Sequence, residues 1–370
     1  MDDVRNSKQE RVNEGGVLKP SFLRRRRLTW SLWFLGYGLL AAVAFAVGCA
    51  VGPVTISPGK VVKIILSNIG LCRWQETWTA AQEMIVLRIR VPRALTGLVV
   101  GASLGVVGTA FQCILRNPLA DPFILGVSSG AALGACIAIV FGIAIPFLPS
   151  ASLPVIAFLG AMLATIFIYR LAMVHGSINP HTLILCGVIL NSFLSSVMMM
   201  IYSAARPDRI HSLLLWLMGD LESAGDWLVV PLALMLVGTL WTCTFAKRMN
   251  AMTLGDEAAF SLGVDAASVK RAVFLISAVV VGSAVSTAGI IGFVGLVAPH
   301  LCRTLVTADH RFVLPSSALL GGALVVLADT FGRWVLSPAE LPVGAVTALI
   351  GAPFFIYILK KRAKIVWADQ

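Results

Sequence analysis

The chain has 370 residues, of which 58% are hydrophobic and 13% charged, and its mean hydropathy is +0.88. A soluble domain of this length needs far more polar surface, so the composition excludes one and places the chain in a membrane. The formal charge of +11 does not indicate nucleic-acid binding, because the basic residues gather beside apolar runs, as in Arg24-Arg25-Arg26-Arg27 and Lys360-Lys361-Arg362.

Residues 1–28 are polar and end in the four arginines, and read as a flexible, basic cytoplasmic tail. Trp30–Val51 is too long for the core of a cleaved secretory signal and fits a spanning helix. With about 20 apolar residues needed per crossing, further runs follow at Ala94–Leu115, Ile124–Phe147, Leu153–Leu171 and Leu183–Ile201. The rest lie at Trp227–Phe245, Val273–Ile291, Phe293–Val306, Leu314–Leu336 and Val343–Leu359, making ten. The eighth is short and broken by Pro299. With residue 1 inside and all ten crossing, 20 of the 29 Lys and Arg fall inside and 9 outside, as the positive-inside rule expects. The exception is the outer loop Lys60–Arg93, which is long and basic.

That loop ends in Leu87-Arg-Ile-Arg-Val-Pro-Arg93, and Arg88, Arg90 and Arg93 can form a cationic rim with Arg333. Lipid headgroup anchoring and docking of an acidic partner explain such a rim equally well. Gly97, Gly101 and Gly105, then Gly126, Gly130 and Gly134, recur at four-residue spacing and make flat stripes for close helix approach. Next comes Gln112-Cys-Ile-Leu-Arg-Asn117-Pro118-Leu-Ala-Asp121-Pro122, where the prolines end one helix and Asp121 is placed to cap the next. Gly101-Ala-Ser103-Leu-Gly105 and Gly126-Val-Ser128-Ser-Gly130 both match GxSxG, but neither sits on the strand–turn–helix elbow a serine hydrolase requires. Met198-Met-Met200 and Tyr202 line a path or simply pack; the residues do not separate the two.

The most informative segment is Leu254-Gly-Asp-Glu-Ala-Ala-Phe-Ser-Leu-Gly-Val264. It is a polar island on the basic side, long enough for a short helix, with Phe260 and Leu262 among charges. Such a segment offers a grip to a soluble partner. Gly289-Ile-Ile-Gly292-Phe-Val-Gly295-Leu-Val-Ala-Pro299-His300 marks irregular backbone at membrane depth. His300 reads as a histidine satisfied by a neighbouring carbonyl. Asp329 and Arg333 share a helix face and can pair, with Glu340 following near the same mouth. The seven cysteines form no CxxC pair and are odd in number, so neither a metal site nor a disulfide framework is expected. There is no GxxxxGK[ST] segment, so ATP hydrolysis by this chain is not expected.

Taken together, Arg90-Val-Pro-Arg93, Gln112 with Asn117–Gly126, Trp216-Leu-Met-Gly219, Leu254–Gly263, Gly292–His300, Asp309-His-Arg311 and Leu341-Pro-Val-Gly344 resemble the FecCD/BtuC family. These are membrane permeases of bacterial ABC importers for ferric siderophores, haem and vitamin B12. The resemblance runs from about Arg88 to Arg362. It implies an all-α, BtuC-like (type II importer) bundle of ten transmembrane helices in the bacterial cytoplasmic membrane, with both termini cytoplasmic. It implies a permease dimer, most simply a homodimer, with two ATPase subunits that use ATP and Mg, and an outer substrate-binding protein; no cofactor is expected on this chain. Leu254, Gly255, Asp256, Glu257, Phe260, Leu262 and Gly263 match the coupling helix seated in the ATPase. Arg90, Arg93 and Arg333 match positions that receive the binding protein's carboxylates, and Asn179-Pro180-His181-Thr182 falls where the family places its cytoplasmic gate. Gln112, Asn117, Pro118, Asp121, Pro122, Gly292, Gly295, Pro299 and His300 belong to its structural motifs.

The resulting division is a tail over 1–28, a permease domain over 29–364 with its coupling segment at 251–265, and a short tail over 365–370. Two other functions bear on the same residues. An ion-coupled transporter or channel needs paired acids near the midplane, where only Asp329 qualifies. An intramembrane hydrolase would rest on Ser128 and His300.

Overall fold

Backbone N–H and C=O groups in hydrocarbon must be paired within their own segment, so apolar runs of this kind form helices. All ten do so in the computed structural model, which describes residues 20–68, 70, 77–174, 177–222 and 226–368. In chain order come α1 (Pro20–Ala50), α2 (Pro58–Asn68), α3 (Ala80–Ile114), α4 (Val127–Phe141) and α5 (Ser152–Ala172). A two-residue antiparallel ladder, β1 (Met173–Val174) with β2 (Ser177–Ile178), leads into α6 (Pro180–Ser203) and α7 (Pro207–Leu217). Then follow α8 (Val229–Thr244), α9 (Ala246–Met252), α10 (Asp256–Ser261), α11 (Ala266–Ala288), α12 (Val294–Leu305), α13 (His310–Val335) and α14 (Val343–Ala368).

Among the described residues six helices are long and apolar enough to cross a membrane, namely α1, α3, α5, α6, α11 and α13. A seventh crossing forms if α8 and α9 count as one, bent by 52°. Two of the remaining three runs fold into shorter helices for local reasons. The expected run Ile124–Phe147 yields only α4, because Gly126 delays its start and Gly142, in the left-handed region at φ +64°, ends it. In the run holding Pro299, α12 starts after Phe293 and is twelve residues long.

Three boundaries differ from expectation. Helix α1 begins at Pro20, inside the stretch read as a tail, since proline suits a first helical turn and arginine is a good helix former. At the other end α14 continues to Ala368, past the expected boundary at 364. Helix α3 begins at Ala80, well before Ala94, behind a capping box of Thr79 and Gln82. Pro92 has no N–H to give within α3, and the turn before it widens into a π-helix over Ile85–Arg90 that absorbs the fault.

The core of the bundle is α3, buried almost throughout its second half and packed most extensively on α13. A Cβ on Gly101 would stand 2.2 Å from the Gly321 carbonyl oxygen, and one on Gly105 2.2 Å from that of Ser317. The same edge of α3 meets α12 at Gly108, 2.0 Å by the same measure from the Gly295 oxygen. The second stripe joins α4 to α5 through Gly130, Gly134 and Gly160. Gly126 does not belong to it and serves as the turn ahead of α4.

A methyl group at Gly101 must push α3 and α13 apart, at about 1–3 kcal/mol for overpacking. We expect Gly101→Ala to lower the thermal midpoint of the detergent-solubilised protein. Gly36→Ala, where nothing lies within 4 Å, serves as the neutral control. Equal midpoints for the two variants would contradict the seam.

Candidate functional site

Chemistry-bearing residues gather at the two ends of the bundle. At one end the chain leaves α9, turns at Gly255 and enters α10, a six-residue helix with Asp256 and Glu257 in its first turn near the positive dipole end. It stops in a Schellman arrangement, with Gly263 N–H donating to Phe260 C=O (2.9 Å) and Val264 N–H to Ala259 C=O (2.9 Å). Gly263 has φ +77°, the left-handed conformation this stop requires. Asp265 then caps α11 through the N–H groups of Ala267 and Ser268 (3.0 and 3.2 Å).

Two cations fix α10 in place. Asp256 accepts from Arg116 at the end of α3 (2.5 Å) and from Lys270 in α11 (2.7 Å). Arg116 is one of two non-glycine residues with positive φ among those described, at +48°, and its guanidinium reaches α10 from there. So held, α10 turns outward Phe260 (78% exposed), Leu254 (69%) and Leu262 (62%), with Glu257 also exposed. Exposed apolar side chains on a charged loop make this segment a candidate contact surface.

At the opposite end the three arginines expected as an open rim are buried: Arg90 is 4% exposed, Arg93 7% and Arg333 4%. Their donors are spent inside the chain. Arg90 donates to the carbonyls of Cys49 (3.2 Å), Ala50 (2.7 Å) and Val54. Arg333 donates to those of Gly48 (3.0 Å) and Val51 (2.7 Å). Gly48 to Ala50 carry the last carbonyls of α1, which have no partner within their own helix, and Val51 follows directly after it. Two guanidinium groups supply those partners and meet the negative end of the helix dipole. Asp329 completes the cluster, paired with Arg333 (3.0 Å), as its i,i+4 spacing predicts, and with Arg93 (2.9 Å). Arg93 also meets Glu340 (2.8 Å) and Asp220 (3.9 Å). Each of the three arginines therefore pairs inside the bundle, so none stands as an exposed cation in this structure.

Beside the clamp lies a cavity of 520 Å³, lined among others by Arg93, Trp216, Asp220, Glu222, Glu340 and Leu341. Three scattered sequence motifs meet there through their backbones. Gly344 N–H donates to Met218 C=O (3.1 Å), and Asp220 N–H to Ala288 C=O (3.0 Å). A Cβ on Gly289 would stand 2.3 Å from the Trp216 oxygen.

The profile of the FecCD transport family matches residues 39–361. The chain belongs to the FecCD transport family. It is 43% identical over 283 residues to the cobalamin import system permease protein BtuC of Halobacterium salinarum, covering 76% of this chain and 74% of that one. It is 39% identical over 292 residues to the hemin transport system permease protein HmuU of Yersinia pestis, covering 77% and 87%. Its fold matches an inward-facing structure of a metal-chelate type ABC transporter with TM-score 0.74 and 29% identity, covering 90% of this chain and 99% of that one. The resemblance read from the motifs, and the all-α permease fold it implied, are thereby shown.

The other motif residues of this FecCD permease have structural work to do. Gln112 donates to Gly295 C=O (3.2 Å) and accepts from Arg303, so one amide touches both ends of α12. Asn117 accepts from Leu119 N–H (2.9 Å) within the turn that holds Pro118. Asp121 accepts from Phe123 N–H (2.9 Å) and caps the short 3-10 turn Pro122–Leu125 before α4. Burial pushes its carboxyl up to about 6, and the Phe123 N–H pulls against that. Asn179 caps α6 through the N–H groups of His181 and Thr182 (3.0 and 3.2 Å), with Pro180 in the first turn. Gly292 lies in the irregular link before α12, and Pro299 falls inside that helix. His300 is half-buried, 3.3 Å from the Thr304 hydroxyl, with Phe354 and Phe355 edge-on. Of the GxSxG serines, Ser103 meets Thr239 (3.0 Å) inside α3, and Ser128 lies in the first turn of α4. Neither is on a nucleophile elbow.

Reading the sequence missed Arg116 and Lys270 as the holders of α10, and Gly48 to Val51 as the target of the arginines. A lone Arg before Asn-Pro carries no pattern, and Lys270 was indistinguishable from a topology charge. Replacing Arg333 with Met unpairs Asp329 on one side and frees the Gly48 and Val51 carbonyls. The cost is about 3–5 kcal/mol, as for breaking a buried ion pair. A drop of several degrees in the melting midpoint is expected, against none for Arg88→Ala at an exposed position. A midpoint that Arg333→Met leaves unmoved would return these arginines to a docking role.

Proposed function

We propose that this chain is the membrane-spanning permease subunit of an ATP-driven importer that carries a large chelate across the bacterial cytoplasmic membrane. An iron chelate (ferric siderophore or haem) and a cobamide are the cargo classes supported by the relatives it resembles. The observation that carries the reading is α10: an apolar trio outside the apolar spans, turned outward and locked by Asp256 to two central helices. In this reading α10 seats in a groove of a separate ATPase subunit, which supplies ATP and Mg chemistry that this chain lacks the phosphate loop to perform.

A second copy completes the pathway. Helix α6 turns most of its length outward, with Ser192, Ser196 and Ser203 exposed beside Met199 and Met200. Helix α14 exposes Leu349, Ile350, Ile356 and Tyr357. Two such faces suit a homodimer with the path between its halves, two ATPase subunits at the α10 end and a binding protein over the 520 Å³ cavity. The bias of basic residues puts both termini and α10 on the cytoplasmic side. The Asn179–Thr182 turn then lies at the inner mouth, where it serves as the gate. ATP binding drives transport only by favouring one of the outward- and inward-open states over the other. An ion-coupled carrier is disfavoured, since Asp329 is already paired with two arginines inside the bundle.

Phe260→Asp places a charge in the centre of the patch, at a position that is 78% exposed. The variant is expected to insert and fold as the wild type, yet lose copurification of the ATPase subunit and at least about tenfold of uptake, the effect of a contact worth about 1.4 kcal/mol. Glu257→Ala is expected to retain the complex and uncouple hydrolysis from uptake. ATP-dependent accumulation of cyanocobalamin, haemin and a ferric siderophore in reconstituted vesicles is the measurement. Uptake unchanged in both variants would remove α10 as the coupling element.

A further inference from the structure

Asp256 is one of several fastenings of the coupling segment; Cys113 of α3 also donates to Met249 C=O on α9 (3.6 Å). A further one lies on α9, which meets α8 at a 52° bend and is only seven residues long. The Asn250 side chain on α9 accepts the backbone N–H of His310 at 2.8 Å through its oxygen. That backbone group can only donate, so the orientation of the amide is settled. Its nitrogen is left to donate to the Asp309 carboxylate, at 2.7 Å. His310 Nδ1 also lies 2.8 Å from the amide oxygen and donates to it.

Asp309 caps α13 and is shared by three elements. It accepts from the Arg311 backbone N–H (3.0 Å) and guanidinium (2.8 Å), from Asn250, and from Arg26 near the start of α1. Burial alone would raise its carboxyl, but the hydrogen bonds from Arg311 and Asn250 hold it well below the usual carboxylate range. Arg26 lies over the Trp30 ring (4.4 Å), and Trp30 and Phe34 pack on Phe312 (5.5 and 4.8 Å). One carboxylate therefore ties α9 to α13 and α1.

The fastenings at Asp256 and Asn250 reach different helices: Asp256 holds α3 and α11, and Asn250 holds α13 and α1. They converge, because α3 and α13 touch backbone to backbone along Gly101 and Gly321. Asn250 ties α9 to α13 on the far side of its bend from α8. We propose that Asn250 and Asp309 form a strut that passes motion of the coupling helix to α13 and α1, making them positioning residues for transport. The inference rests on the reading that α10 seats on an ATPase subunit.

The test uses the full complex with its ATPase subunit and binding protein in vesicles, offered cyanocobalamin, haemin or a ferric siderophore, with cargo moved per ATP hydrolysed as the readout. Asn250→Ala and Asp309→Asn are each expected to lower that ratio about fivefold to tenfold, the range of a coupling interaction. Combining them should cost no more than the worse single change, because they remove one strut. The exchange N250D with D309N keeps one amide and one carboxylate at the node and should recover part of the loss, which a mere gap in packing would not allow. A wild-type complex that moves none of the three probes overturns the import reading and the strut with it. A wild-type complex that transports, while Asn250→Ala keeps its ratio, overturns the strut alone. Uptake and hydrolysis falling together, in step with folded protein, also overturns it.

Discussion

The end of α1 poses the problem that organises one whole face of this protein. A helix that stops at the edge of an apolar bundle leaves carbonyls that nothing in its own turn can satisfy. Here Arg90 and Arg333, from distant parts of the chain, converge on Gly48 to Val51, and Asp329 pairs with Arg333 and with the neighbouring Arg93. The members support one another's burial: Arg333 uses both the carbonyls and Asp329, Arg90 uses the carbonyls, and Asp329 is held by Arg333 and Arg93. Helices α1, α3 and α13 are thereby locked together at that end by polar contacts. Small residues pack α3 against α13 over the remaining length.

The other end follows the same logic with a different result. Asp256, Asp309 and their cationic and amide partners also tie neighbouring helices, but around a segment whose apolar side chains are turned away from the bundle. A clamp that consumes every donor inside the chain closes a structure. A clamp that leaves Phe260 and Leu262 outside presents a handle on it. The contrast explains why arginines matching a docking motif are buried while the exposed apolar patch lies on a charged loop.

Much of this was legible in the residues. The ten apolar runs gave the helices, since hydrocarbon leaves a backbone no alternative. Asp121 and the Asp329–Arg333 pair were readable because capping and i,i+4 pairing are local rules. The coupling segment stood out because Phe260 and Leu262 sit where solvent should exclude them. What was not legible depends on tertiary meeting points. Arg90 and Arg93 beside Pro92 look like an aqueous loop until the C-terminus of α1 arrives, so α3 starts earlier than polarity suggested. Asn250 and Asp309 stand 59 residues apart and share no pattern that spacing could reveal.

The double grip of Gln112 on α12 has a mechanical meaning of its own. Its amide nitrogen holds the first turn through Gly295, and its oxygen receives Arg303 from the last. A short rod pinned at head and foot by one side chain cannot slide along its neighbour without losing both pins. Sliding therefore costs both hydrogen bonds at once, so a single side chain makes the head and the foot of this rod answer to each other.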